Sequence, residues 1–213
     1  MGHRRKSAPR RGSTAFRPRA RASHFVPKVR FWPAITEPKL LGFSGYKVGM
    51  IYGYLVEDNK VSPNFGKEIF APVTIIETPP MWVCSVRAYK QTVNGLKTCG
   101  ESWVKNLPKG INTALKPPSE PKTEENLKEI EENLDNLSDI RVITSTTPKE
   151  AGLPKKKPDI MEIPVGGKTI KETFEYAKSI LGKRVNASNT FTEGKYVDAI
   201  SISKGKGIAG PVK

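Results

Sequence analysis

The sequence predicts a mainly β protein with an α/β insertion: a small β-barrel, interrupted by an inserted helical lobe and preceded by an extended basic arm. Three features carry that reading. Residues 40–105 hold glycine-punctuated, β-rich runs and one alternating hairpin. A proline-flanked acidic stretch with helical periodicity begins at 106. The first 36 residues hold ten Lys or Arg and no acid before Glu37. The matching divisions are an arm over 1–39, the first part of the barrel over 40–105, the lobe over 106–182, and a return to the barrel that opens a basic Gly-rich loop over 183–213.

The arm, MGHRRKSAPRRGSTAFRPRARASHFVPKVRFWP, has Pro9, Pro18, Pro27 and Pro33 to break a helix and few aliphatic side chains. Such a segment cannot bury enough apolar surface to offset its own ordering entropy. It is expected to order on a polyanion, where each neutralised phosphate releases condensed counterion. The candidate phosphate contacts are His3, Arg4, Arg5, Lys6, Arg10, Arg11, Arg17, Arg19, Arg21, Lys28 and Arg30. The whole chain carries a formal +15, but residues beyond 36 contribute only +5 of it, with 26 basic against 21 acidic side chains. The basic excess therefore sits at one end, as in nucleic-acid-binding arms.

In chain order, Leu40 to Val56 is β-rich and interrupted by Gly42, Gly45, Gly49 and Gly53; glycines at that density in strands mark bends, bulges or close backbone approach. Glu68 to Thr78 is a second strand, ended by Pro79-Pro80. Trp82 to Lys90 alternates, with Trp82, Cys84, Val86 and Ala88 on one face and Val83, Ser85, Arg87 and Tyr89 on the other. Asn94-Gly95 predicts a type I′ turn, with Lys90 opposite Cys99 and Val86 opposite Trp103. That register separates Cys84 from Cys99 by about 20 Å along the ladder, too far for a disulfide, and both read as small buried hydrophobes in a reducing compartment. Within 106–158, Leu127, Ile130, Leu134 and Leu137 fall at helical spacing with Thr123 as N-cap, and the stretch reads as an insertion rather than core. Asp159 to Val165 is a strand and Thr169 to Leu181 a helix, with a capping box from Thr169 and Glu172, a stop at Gly182, and a buried stripe of Ile170, Phe174, Ala177 and Leu181. Tyr196 to Ser203 alternates as a final strand.

Several motifs resemble enzyme signatures and lack their context. Gly205, Gly207 and Gly210 spell the dinucleotide fingerprint, but no helix or later acid can follow before Lys213. Lys204, Gly205, Lys206, Gly207 and Lys213 read instead as a flexible basic loop that lets backbone and ammonium groups approach phosphates. Gly167-Lys168-Thr169 ends like a P-loop, yet Glu162 stands where the motif needs glycine. The acids from Glu124 to Asp135 read as a solvated helix face. His3 and His24 lack a rigid frame, and neither metal-ligand spacing nor a nucleophile–base pairing is evident. No catalytic residue, cofactor, metal or small-molecule substrate is expected. Tyr46, Tyr52, Tyr54 and Trp82 could stack on bases, though aromatic residues in strand patterns read first as core. No apolar run reaches the ~20 residues of a membrane span, a secretory signal core is lacking, and prolines with Gly12 rule out a long transit-peptide helix. The expected location is cytoplasmic.

Four segments, MGHRRKSAPRRGS, GFSGYKVGM, VNASNTF and DAISISKGKGIAGPVK, together resemble the large-subunit ribosomal protein L three family in its archaeal and eukaryotic form, in order and spacing over nearly the whole chain. The resemblance implies a six-stranded barrel of the translation-protein type with an inserted α/β lobe. It implies an early-assembling, non-catalytic component of the large ribosomal subunit whose partners are large-subunit ribosomal RNA and neighbouring ribosomal proteins. The family's arm, which threads into RNA, carries over onto Arg4, Arg5, Lys6, Arg10, Arg11, Arg17, Arg19 and Arg21. Its KGKG segment, opening a loop toward the peptidyl-transferase centre, carries over onto Lys204, Gly205, Lys206 and Gly207. Family members continue past this point through the strands that close the barrel, so an incomplete barrel with an open, pairing-prone edge is the expectation unless those strands are supplied elsewhere. Two rivals remain: a free RNA-binding assembly or translation factor, and a nucleotide-using enzyme built on the glycine segment.

Overall fold

The computed structural model describes residues 12, 13, 22, 24–108 and 110–205. The chain divides into two compact units, Met1–Lys28 with Asp198–Lys213, and Val29–Val197. All helices and strands among the described residues belong to the second unit: β1 (Tyr46–Val56), β2 (Glu68–Glu77), β3 (Met81–Thr92), β4 (Gly95–Trp103), α1 (Ile111–Ala114), α2 (Thr123–Glu132), β5 (Asp139–Ser145), β6 (Ile160–Pro164), α3 (Ile170–Ile180) and β7 (Arg184–Val185).

The mainly β character is as predicted and the sheets are antiparallel; the described residues contain no closed barrel. β1 and β2 pair only with each other, and a separate five-stranded sheet runs β4-β3-β5-β6 with β7 pairing the start of β3. The glycine-rich run behaves as its composition demands: a bulge falls between Lys47 and Gly49, and a Cβ on Gly42 would stand 2.7 Å from the Trp32 ring.

The central hairpin forms in a different register from the one predicted. Thr92 pairs with Gly95 and Lys90 with Lys97. No described non-glycine residue has positive φ, while Gly95 has φ 104°. A type I′ turn needs positive φ at both central residues, so Asn94 cannot occupy one. Val93-Asn94 form the turn instead, and Gly95 takes the left-handed position that follows it. A second irregularity between Ala88 and Tyr89 sets Val86 opposite Ser102 and Ser85 opposite Trp103. Both cysteines are free, as expected, but Cys99 is exposed and only Cys84 is buried. Burial pushes the Cys84 thiol up to about 12, which leaves it without thiolate reactivity near neutrality.

The alternation of β3 breaks at a register shift between Val83 and Ser85. Met81, Val83, Val86 and Ala88 therefore enter one core together, against Leu127 and Ile130 of α2 and Phe174 and Ala177 of α3. Trp82 and Cys84 join a second cluster with Trp103, Ile111 and Ile143. Val142 and Ile143 belong to different clusters, as neighbours on a strand facing opposite sides must.

Residues 106–158 are not set aside from the core. They contain β5, the strand that pairs both β3 and β6, and Ile140 and Val142 are buried in the main cluster. The predicted stripe holds in α2 at Leu127 and Ile130; the helix ends at Glu132, and Leu137, with Leu134 half-buried, reaches the same core from the turn that follows it. Thr123, however, is the first helical residue rather than the cap, and its hydroxyl donates to the Trp103 carbonyl at 2.7 Å. α3 starts and stops where predicted: Thr169 caps it by accepting from the Glu172 amide at 3.3 Å, and Gly182 ends it at φ 75°. The strand predicted over Tyr196–Ser203 does not form; the segment is irregular and almost wholly exposed, and no strand among the described residues pairs with it.

Tyr46, at the start of β1, ties the ribbon to the main sheet. Its hydroxyl lies 2.8 Å from the Thr146 hydroxyl and donates to Asp159 Oδ2 at 2.9 Å. Burial, with the Asp159 carboxylate adding to it, moves the phenol from 10.0 to about 12. A raised pKa means that the native state holds this proton more tightly than the unfolded chain. The associated stability is complete below pH 10 and disappears between pH 10 and about 12. Tyr46→Phe should cost about 1–2 kcal/mol near neutrality through the lost bonds and flatten the alkaline limb of the stability curve. Urea titrations from pH 7 to 12 check both, and since Cys84 titrates in both proteins, the difference isolates Tyr46.

Candidate nucleic-acid interface

The described part of the predicted interface begins where the arm meets the sheet. Leu40, 1% exposed, bridges to Val165, and the Leu41 amide donates to the Pro164 carbonyl at 3.2 Å. From the other side the Gly166 amide donates to Lys39 at 2.7 Å and the Gly167 amide to Ile35 at 3.0 Å. Trp32 packs against the main core over Gly42. Residues 32–41 are therefore a fixed root. The sequence reading places 32–39 in the arm, with Pro33 among its helix breakers; the signal for a root is the Leu40-Leu41-Gly42 step after Trp32. The Gly166 and Gly167 amides, next to the P-loop-like Gly167-Lys168-Thr169, are thus engaged by the root.

Beyond the root, Lys28 and Arg30 are exposed in irregular chain, as are Lys204 and Gly205, and Gly205 adopts φ 65°. Among the described residues no carboxylate pairs with Lys28, Arg30 or Lys204. His3, Arg4, Arg5, Lys6, Arg10, Arg11, Arg17, Arg19, Arg21, Lys206, Gly207 and Lys213 lie outside the described residues.

The three arginines after residue 30 behave differently: each has a carboxylate. Arg87 makes two bonds to Glu101, at 3.1 and 3.2 Å, and lies 3.7 Å from Glu162. Arg141 bonds Asp139 at 2.8 Å and stacks over the Tyr89 ring. Arg184 pairs with Glu150 at 3.0 Å over the Trp82 ring. Tyr89 donates to Glu162, and burial first, then that bond, raises its pKa. These groups stitch one face of the sheet and carry no surplus charge for a ligand. The surplus belongs to the acid-free arm, where eight of the 11 arginines reside.

The ribbon overturns the core reading of two aromatic residues. Tyr52 and Tyr54 are 68% and 75% exposed, and both lean on Phe70, Tyr52 stacked with centroids 4.8 Å apart and Tyr54 tilted at 5.5 Å. Tyr46 is the tie described above. Trp82 is half-buried beneath Arg184. The opposite face of the ribbon pairs Ile51 with Val73 and Leu55 with Ile69, so both faces are apolar.

No group of three His, Cys, Asp or Glu side chains among the described residues could hold a metal ion. No helix among them is long and apolar enough to cross a membrane.

A family model described as ribosomal protein L3 matches residues 1–213. The chain belongs to the ribosomal protein L3 family. Similar curated relatives are named large ribosomal subunit protein uL3: one from Methanothermobacter thermautotrophicus is 47% identical over 210 residues, covering 98% of this chain and 62% of the relative. One from Aeropyrum pernix is 45% identical over 219 residues, covering 100% and 64%, and one from Methanopyrus kandleri is 45% identical over 216, covering 100% and 59%. The chain thus spans about three fifths of the length of these L3 relatives. Within the L3 family the match includes both the basic arm and the KGKG segment.

Proposed function

We propose that this chain is a structural, non-catalytic constituent of the large ribosomal subunit that binds and stabilises large-subunit ribosomal RNA near the peptidyl-transferase centre. Its partners are that RNA and neighbouring large-subunit proteins, and its location is the cytoplasm. The observation that carries the reading is the sorting of arginine: the described body pairs each of its own with a carboxylate, while the arm's stand in an acid-free segment. Arginine placed that way serves phosphates, through position and charge more than base identity.

In this reading the arm over 1–39 and the loop opening at Lys204 neutralise phosphate, and the body holds the root of the arm. A barrel of the translation-protein type would use β1 and β2 as two of its strands. The apolar side chains that the ribbon exposes on both faces are what such a barrel buries, and an unpaired ribbon of this composition is a site for strand addition.

The test is sedimentation of an archaeal extract containing the tagged chain. A structural constituent stays with large subunits through washes of moderate salt, because many phosphate contacts must release together. Release into the soluble fraction at the first wash would assign the chain to free factors instead. Saturable binding of a nucleotide, abolished by Gly207→Ala and indifferent to loss of the arm, would assign it to enzymes.

A further inference from the structure

The body carries a second strongly basic feature that the arm does not explain. Lys155, Lys156 and Lys157 stand between Pro154 and Pro158 in the loop joining β5 to β6. The loop is closed at its base by the Thr146 amide donating to the Asp159 carbonyl and the Asp159 amide donating to Thr146 Oγ1, both at 3.0 Å, with Tyr46 bonded to both residues. Thr147 bonds the Pro80 carbonyl at 3.3 Å, and Pro158 is buried. A residue before proline is held to extended geometry, so Lys157 has little backbone freedom. The backbone that carries these lysines is thus tied to the sheet at the loop's base.

Charge accounting shows which cations are in surplus. The loop's two acids are both engaged: Asp159 pairs with Lys155 and accepts from Tyr46, and Glu150 pairs with Arg184. Lys156 and Lys157 are exposed, and no carboxylate pairs with either among the described residues. The acid-free segment 105–116 passes against the loop at Gly110, where a Cβ would meet the Lys156 carbonyl at 3.4 Å and Pro158 at 3.7 Å. Lys105 and Lys116 of that segment are exposed. A third of the chain's acids, seven of 21, lie outside the loop between Glu120 and Asp135.

We propose that the β5–β6 loop, through Lys156 and Lys157, is a second phosphate-binding surface for ribosomal RNA, on the body and independent of the arm. The inference rests on the RNA-binding reading above and adds a site to it. Pre-organised cations lose little freedom on binding, and two held by one rigid loop fix the body's orientation on RNA, which a flexible arm cannot do.

The experiment measures affinity of the full chain for an in vitro transcript of archaeal large-subunit ribosomal RNA across a salt series. Lys156→Ala/Lys157→Ala should reduce the log–log salt slope by roughly one to two units, at about 0.7–0.9 per phosphate contact. Lys128→Ala/Lys171→Ala, which removes the same charge from exposed positions on α2 and α3, should leave the slope unchanged. Equal reductions in the two variants would reduce the effect to net charge and overturn the proposal, as would no reduction in the first. An arm variant run alongside separates the two readings: a reduced slope for the arm with none for the loop sinks only the second surface, and no reduction for either sinks the RNA-binding reading itself. Unchanged thermal melting of each variant confirms that the folded body is being compared.

Discussion

Phe174→Ala should destabilise the body by about 3–5 kcal/mol, the range for deleting a buried aromatic side chain whose neighbours cannot collapse into the space. Phe174 is 2% exposed and packs from α3 into the cluster holding Val86, Ala88, Ile140, Val142 and Ile163. Those residues come from three adjacent strands, so the hole would be walled by a hydrogen-bonded sheet. The one element free to shift is α3, and it is fixed at both ends, by the Thr169 cap and by the Gly182 amide donating to Val83 at 3.0 Å. Phe174→Leu, which keeps most of the volume, should cost under about 1.5 kcal/mol. Urea unfolding should show a lower midpoint at unchanged m for both. A loss below about 1 kcal/mol for the alanine variant would mean that α3 is not a structural part of this core. RNA affinity measured well below the melting temperature should not change, since the arm is untouched.

The parts of this fold that were legible in the sequence are those whose signal is local. α3 could be placed because its cap, its apolar period and its glycine stop occur within fifteen residues of one another and agree. The β3–β4 hairpin was legible as a hairpin, but its register was not. Two residues, Asn94 and Gly95, can serve a type I′ turn or a type I turn with a following glycine, and the choice depends on how Val86, Ala88 and Cys84 find their clusters. β5 escaped because its seven residues sit between an acidic helix and a proline-rich loop. Only pairing with β3 and β6, both distant in sequence, identifies it as central. The ribbon differs in the opposite direction: Tyr52 and Tyr54 have the composition of a buried strand, yet β1 and β2 pair only with each other and leave both side chains exposed. For the candidate interface, composition alone located the arm. It could not show that the body's arginines are paired off, nor that Lys156 and Lys157 are held in a closed loop, because both facts depend on contacts made after folding.

The arm should account for most of the salt dependence. Replacing Arg4, Arg5, Lys6, Arg10, Arg11, Arg17, Arg19 and Arg21 by alanine removes eight cations, and at about 0.7–0.9 per contact the log–log slope for the archaeal ribosomal RNA transcript should fall by about six units if each meets a phosphate. At 50 mM salt that corresponds to orders of magnitude in affinity, and the two proteins should converge as salt rises. Body stability should not follow, because the root at Trp32, Ile35 and Leu40 is retained and the clusters under the sheet lie beyond it. Replacing the same arginines by lysine distinguishes charge from geometry. Lysine keeps the counterion release and loses the planar fork that grips phosphate through two parallel bonds, so the slope should persist while affinity drops at every salt concentration. A slope unchanged by the alanine set would show that the arm does not touch the RNA backbone, and the body would then have to supply the contacts from its own unpaired lysines.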